Sequence, residues 1–199
     1  MSGTEVRTGR RDDLLVAAAR RFVAAGIRRT TMEDIAREAR AGKATLYRHF
    51  RNKDAVVDAL LEREADRFVR VLREASAGRD DVPGQLEATF LAGVRFFVEH
   101  PVLTRGRDEE SGLLLPRITA NGGPLVSTGL ALFRELIAEG VERGELRRVD
   151  PDVAAEVVMR LILSYFTFPP MHVRVDDPDE AASFARAIVA GAFRSDQAR

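Results

Sequence analysis

Apolar residues recur along this chain at three- and four-residue intervals, and no stretch keeps a period of two. Leu15, Ala18, Ala19 and Phe22 stripe a first helix, which Asp12-Asp13 start and Gly26 stops. Ile35, Ala36 and Ala39 share one face of a short second helix. Thr31 is its N-cap, and Asp34, three positions on, makes a weaker relative of the capping box. Leu46 and Phe50 face inward from a third helix that Gly42 caps. From Asn52-Lys53-Asp54 a long helix carries Leu61, Ala65, Phe68 and Leu72 on one stripe. Leu86, Phe90, Val94 and Phe97 stripe the next, up to His100-Pro101. Residues 102–120 are less regular, with Gly112 and Pro116 around Leu113-Leu114-Leu115.

A turn at Asn121-Gly122-Gly123-Pro124 precedes a helix holding Leu125, Leu132, Phe133, Leu136 and Val141, which ends near Gly144. Asp150-Pro151-Asp152 cap a helix that reaches Phe168 and stops at Pro169-Pro170. Pro178-Asp179-Glu180 start a final helix to about Arg194. The pattern predicts an all-α fold of about nine helices, with a three-helix head over residues 1–53 and a helical body over residues 54–199.

The last two helices, residues 151–168 and 178–194, differ from the rest. The first is apolar nearly all round, through Val153, Val157, Val158, Leu161, Ile162, Tyr165 and Phe166. The second is rich in small residues, among them Ala181, Ala182, Ala185, Ala187 and Gly191. A chain of this size has little material to cover both, so a two-fold four-helix interface between two copies is expected.

Charge sharpens the division. The chain is neutral overall, yet residues 1–53 carry 13 Lys+Arg against 6 Asp+Glu and the remainder 18 against 25. A cationic head on an acidic body suits a protein that presents one end to phosphates. Arg7, Arg10 and Arg11 are candidates for an arm reaching a groove. With no cysteine, disulfides and thiolate metal sites are excluded. No apolar run reaches the ~18 residues of a membrane span, and residues 1–11 lack a signal core. A soluble cytoplasmic protein is expected.

The head's second and third helices, Thr31 to Phe50, form a helix-turn-helix: two short helices, a tight turn, and polar groups left for base edges. Lys43, Thr45, Arg48 and His49 remain for the outer side, and Lys53 adds a cation beside the DNA backbone. Through Thr31, Ile35-Ala36, Thr45-Leu46-Tyr47, His49-Phe50 and Lys53 this segment resembles the head of the TetR family of bacterial transcription regulators. One departure stands at the turn. Ala39-Arg40-Ala41-Gly42 replaces the family's Ala-Gly-Val-Ser, putting Arg40 where a glycine ordinarily goes left-handed. Either Arg40 accepts a strain of roughly 1–2 kcal/mol, or the turn shifts to use Gly42.

The resemblance implies a homodimer placing two recognition helices in successive major grooves, about 34 Å apart, on a palindromic operator in double-stranded DNA. Lys43, Thr45 and Arg48 are the candidates for base edges, and Tyr47 and Lys53 for phosphates. Thr31, Arg40 and His49 complete the expected DNA-binding set. It also implies an inducer pocket in the body, for which Phe90, Phe97, Leu114, Phe133, Met159, Tyr165 and Phe166 are the lining candidates, with Arg95 and Tyr165 as polar anchors. The ligand expected is small and largely apolar, such as a drug, a lipid, an aromatic or an acyl thioester. Its binding would release a repressor from DNA.

Two rival readings follow from the residues. An enzyme lacks support: His49, His100 and His172 are scattered, and no nucleophile–base order, phosphate loop or metal-ligand spacing accompanies them. Asp108-Glu109-Glu110 reads as a solvated helix face rather than a metal site. No cofactor is called for. The other rival is a small-molecule-binding helical protein whose head has lost its DNA target, a reading that Arg40 favours.

Overall fold

The first helix starts earlier than Asp12-Asp13 suggest: α1 runs over Gly3–Ala25. The residues expected as a free arm are therefore helical in backbone. These features come from a computed structural model, which describes residues 3–119, 123–168 and 171–193; the side chains of 3–8, 106–112, 189 and 190 are excepted. The Asn121-Gly122 turn, the Pro169-Pro170 stop, the helix end at Arg194, the side chain of Arg7 and the acidic run 108–110 fall outside that description.

After α1 come α2 (Met32–Glu38), α3 (Lys43–His49), α4 (Lys53–Ser76), α5 (Val82–Glu99) and α6 (Pro101–Thr119). Then follow α7 (Pro124–Glu142), α8 (Pro151–Thr167) and α9 (Pro178–Ala185). The last helix continues through a π turn, Arg186–Ala190, to Gly191–Phe193. Among the described residues there is no β-strand. The irregular reading of 102–120 is corrected, since α6 continues through Pro116. A proline there removes one backbone N–H, but Leu114 and Ile118 on either side are buried and hold the turn in place.

The chain divides into two compact units, Met1–Glu64 with Pro101–Ala120, and Ala65–His100 with Asn121–Arg199. These units do not cut at residue 53. The first half of α4 and all of α6 group with the head, and α6 packs on α1. In this first unit Leu14, Leu15, Ala18 and Phe22 of α1 are buried with Ile35, Ala36, Leu46, Phe50, Val56 and Leu60 in a largely apolar interior. Arg117 of α6 pins the start of α4, donating to Asp54 at 2.7 Å and lying 3.2 Å from Asp58.

In the second unit α5 packs on α7 and α8. Helix starts here follow their caps: Asp81, Asp150 and Asp177 each accept backbone N–H bonds at the first turn. Gly93, Gly129 and Gly140 permit close approach. A Cβ at Gly129 would stand 2.7 Å from the Met159 sulfur, and one at Gly93 2.8 Å from Ile162. Phe68, Phe96 and Phe97 pack ring on ring at 4.9–5.9 Å, and Phe97 meets Phe166 at 5.5 Å.

Candidate nucleic-acid interface

The capping signal of α2 proves complete. The Asp34 N–H donates to the Thr31 hydroxyl at 3.1 Å, and the Thr31 N–H donates to the Asp34 carboxylate at 3.0 Å. The Thr31 hydroxyl also donates to that carboxylate at 2.7 Å. These bonds from Thr31 hold the Asp34 carboxyl below its ordinary pKa. Aspartate thus serves as well as the longer glutamate usual at that position.

The turn resolves in favour of strain. Arg40 has φ +48°, positive φ that among the described residues is otherwise confined to glycines, while Gly42 is extended at φ −68° and serves as N-cap of α3. The Arg40 N–H donates to Arg37 O at 3.1 Å and the Ala41 N–H to Ala36 O at 2.8 Å. That pair of bonds is a Schellman motif, with Arg40 in its left-handed position. Gly144 fills the same role after α7, at φ +72°, with the same two bonds to Val141 and Gly140. Arg10 donates to the Arg40 carbonyl at 3.3 Å, and Arg11 sits 5.4 Å from the Phe50 ring centre. Both are held against the head instead of reaching out as an arm.

Helix α3 presents one clear outer face. Leu46 is buried, whereas Lys43, Ala44, Tyr47 and Arg48 are exposed, Tyr47 at 48%. Positions 43, 44, 47 and 48 adjoin on a helix surface. Thr45 and His49 are half-buried on its flanks, further in than the sequence pattern suggests, and His49 lies against the Phe50 ring. Ala44 escaped notice in the sequence; a small residue mid-face lets the helix approach a groove closely.

Lys53 is engaged elsewhere. Its ammonium donates to the carbonyls of Ile27, Arg28 and Thr30 at 2.7, 2.9 and 3.0 Å, which uses all three protons. Those bonds close the α1–α2 loop. No local signal reveals this, because the carbonyls lie 23 to 26 residues upstream.

Most of the expected pocket residues are buried. Phe90, Phe97, Phe133, Met159 and Phe166 are buried in the second unit. Tyr165 is half-buried edge-on to Phe184, and burial raises its hydroxyl pKa. Arg95 donates to Val175 O at 3.4 Å, so its guanidinium is tied to the chain before α9. Leu114 is buried in the first unit and is not grouped with the others. Among the described residues no cluster of His, Asp or Glu could hold a metal ion, and no helix is long and apolar enough to cross a membrane.

A second surface stands out. Helix α8 buries Ala154, Val158, Met159, Ile162 and Phe166 but leaves Val153 61% and Val157 45% exposed. Phe168 and Met171 just beyond it are 74% and 88% exposed. Leu161, Tyr165, Phe184 and Ile188 continue this strip as an open groove of about 360 Å³. The apolar-all-round helix thus has an uncovered second face.

A capped helix-turn-helix with a cationic outer face, followed by a helical body, defines a DNA-binding regulator. The family model described as bacterial regulatory proteins, tetR family, matches residues 14–60, and that of the AefR-like transcriptional repressor C-terminal domain matches residues 124–194. The transcriptional repressor KstR2 of Mycolicibacterium smegmatis is 30% identical over 162 residues, covering 77% of this chain and 74% of its own. A putative TetR-family regulator from Mesorhizobium loti superposes with a TM-score of 0.73 at 16% identity, over 94% of this chain and 98% of that one. AibR, solved with isovaleryl coenzyme A and operator DNA, superposes with a TM-score of 0.59 at 20% identity, over 89% and 96%. The chain belongs to the TetR family of bacterial regulatory proteins, and it is a DNA-binding transcriptional regulator. Proteins of this family are dimers.

Proposed function

We propose that this protein is a cytoplasmic, non-catalytic repressor that binds a palindromic operator as a homodimer and leaves it when a small apolar ligand binds the body. The observation that carries the reading is the outer face of α3, where Lys43, Tyr47 and Arg48 stand exposed around Ala44 above a buried Leu46. Lys43 and Arg48 suit guanine acceptors, Tyr47 a phosphate, and Thr45 and His49 the flanks of the groove. Arg40 and the amino end of α2 at Thr31 lie along the same motif. The exposed strip of α8 and the last helix is the proposed dimer face, and residue 53 the proposed boundary between DNA reading and ligand sensing.

For the ligand, a cluster of fully buried aromatic rings with a half-buried tyrosine hydroxyl suits an apolar molecule with one polar group. Phe68, Phe97 and Phe166 pack ring on ring, so a ligand among them must part them. Release from DNA then follows from its preference for the parted state. AibR's complex with isovaleryl coenzyme A makes short acyl thioesters the first compounds to screen. The test is to footprint genomic fragments retained by the purified protein. Two protected half-sites about one helical turn apart, lost on adding an active ligand, are expected. Retention without any shared symmetric sequence would overturn the reading.

A further inference from the structure

Two carboxylates begin α2, and they do different work. Asp34 is consumed by the capping box and by Arg37, which donates to it at 3.1 Å. Glu33 is not needed for the cap. Its carboxylate lies 3.0 Å from the Lys43 ammonium, on the first residue of the recognition helix, with the two side chains 41% and 66% exposed. The hydrogen bond from Lys43 holds the Glu33 carboxyl below its ordinary pKa. A surface pair of this kind adds little stability, yet it puts an anion beside the cation meant for DNA. The chain has only two lysines among its 31 basic residues, Lys43 and Lys53, and the other is locked on carbonyls.

We propose that Glu33 is a specificity-determining residue, holding Lys43 away from the phosphate backbone and yielding it only to a paired base acceptor in the major groove. The inference rests on α3 being the groove-entering helix. Against arbitrary duplex, Glu33 neutralises Lys43 and repels phosphate, which weakens non-specific binding. At the operator, guanine O6 and N7 offer a fixed acceptor pair, and the ammonium changes partner. Affinity for the operator then exceeds that for random DNA by more than attraction alone gives.

The experiment compares the full-length wild type, Glu33→Gln, Lys43→Gln and the double variant. Each is titrated with a 30-base-pair random duplex and with the selected operator across a salt series, using anisotropy. Glu33→Gln is expected to bind random duplex on the order of tenfold more tightly and to steepen the salt slope by about 0.9, one phosphate contact. Its operator affinity rises less, so the specificity ratio falls. In the Lys43→Gln background the same change loses most of its effect. Glu33→Asp, which keeps the charge with a shorter reach, should behave part-way. Unchanged random-duplex binding in Glu33→Gln, or an equal gain with Lys43 absent, overturns the inference: the second result would mean charge alone. A wild type with no preference for any operator sinks the functional reading whatever Glu33 does, whereas preference without coupling sinks this inference only.

Discussion

At Arg40 a side chain occupies backbone space that the chain elsewhere gives to Gly26, Gly78 and Gly144. Arg40→Gly should relieve roughly 1–2 kcal/mol of strain while adding freedom to the unfolded chain. A net gain near 1 kcal/mol in urea unfolding is expected, with a salt slope for operator binding shallower by about one contact. A stability at or below wild type would show that the turn is not strained. The capping box gives a pH signature. Because Thr31 lowers the Asp34 pKa in the folded state, this stabilisation is complete above the ordinary carboxylate pKa. It fades as pH falls through the lower, folded value. Thr31→Ala should therefore cost about 1 kcal/mol at neutral pH, with the gap to wild type narrowing below about pH 4. A gap independent of pH would show that the carboxylate takes no part.

Among elements, the α1–α2 loop is built around one ammonium. Three carbonyls converging on Lys53 suit a compact three-donor head and not a planar guanidinium. Lys53→Met should destabilise the head by about 2 kcal/mol, and Lys53→Arg should recover little of it, as calorimetry can tell. Full rescue by arginine would argue that charge alone matters. Elements set by local rules were legible in the sequence: Thr31 and Asp34 mark α2, Gly42 caps α3, Asp150 opens α8 and Pro178 starts α9. Elements set by distant partners were not. Gly112 and Pro116 read as irregularity, yet burial of Leu114 and Ile118 carries the helix through. The carbonyls that hold Lys53 lie far away in sequence, so this anchor carries no local signal.

On the scale of the whole molecule, pairing decides function. The apolar character of α8 was visible in the sequence, and its uncovered side is Val153, Val157 and Phe168. The exposed face of α3 was partly legible, since Lys43, Tyr47 and Arg48 follow from helical spacing; the pairing of Glu33 with Lys43 was not, because the ion pair forms between two helices. The aromatic set was legible as buried, and Leu114 belongs to a different unit from the rest. Val157→Glu should give monomers at micromolar concentration by light scattering and lower operator affinity on the order of a hundredfold, as expected when two linked contacts become one. A variant that stays dimeric would move the interface elsewhere. The most direct test of the account is the ratio of affinities for a selected palindrome and a random duplex, measured on ligand-stripped wild-type dimer at about 150 mM salt. The account predicts a ratio of at least about a thousand; a ratio near one contradicts it.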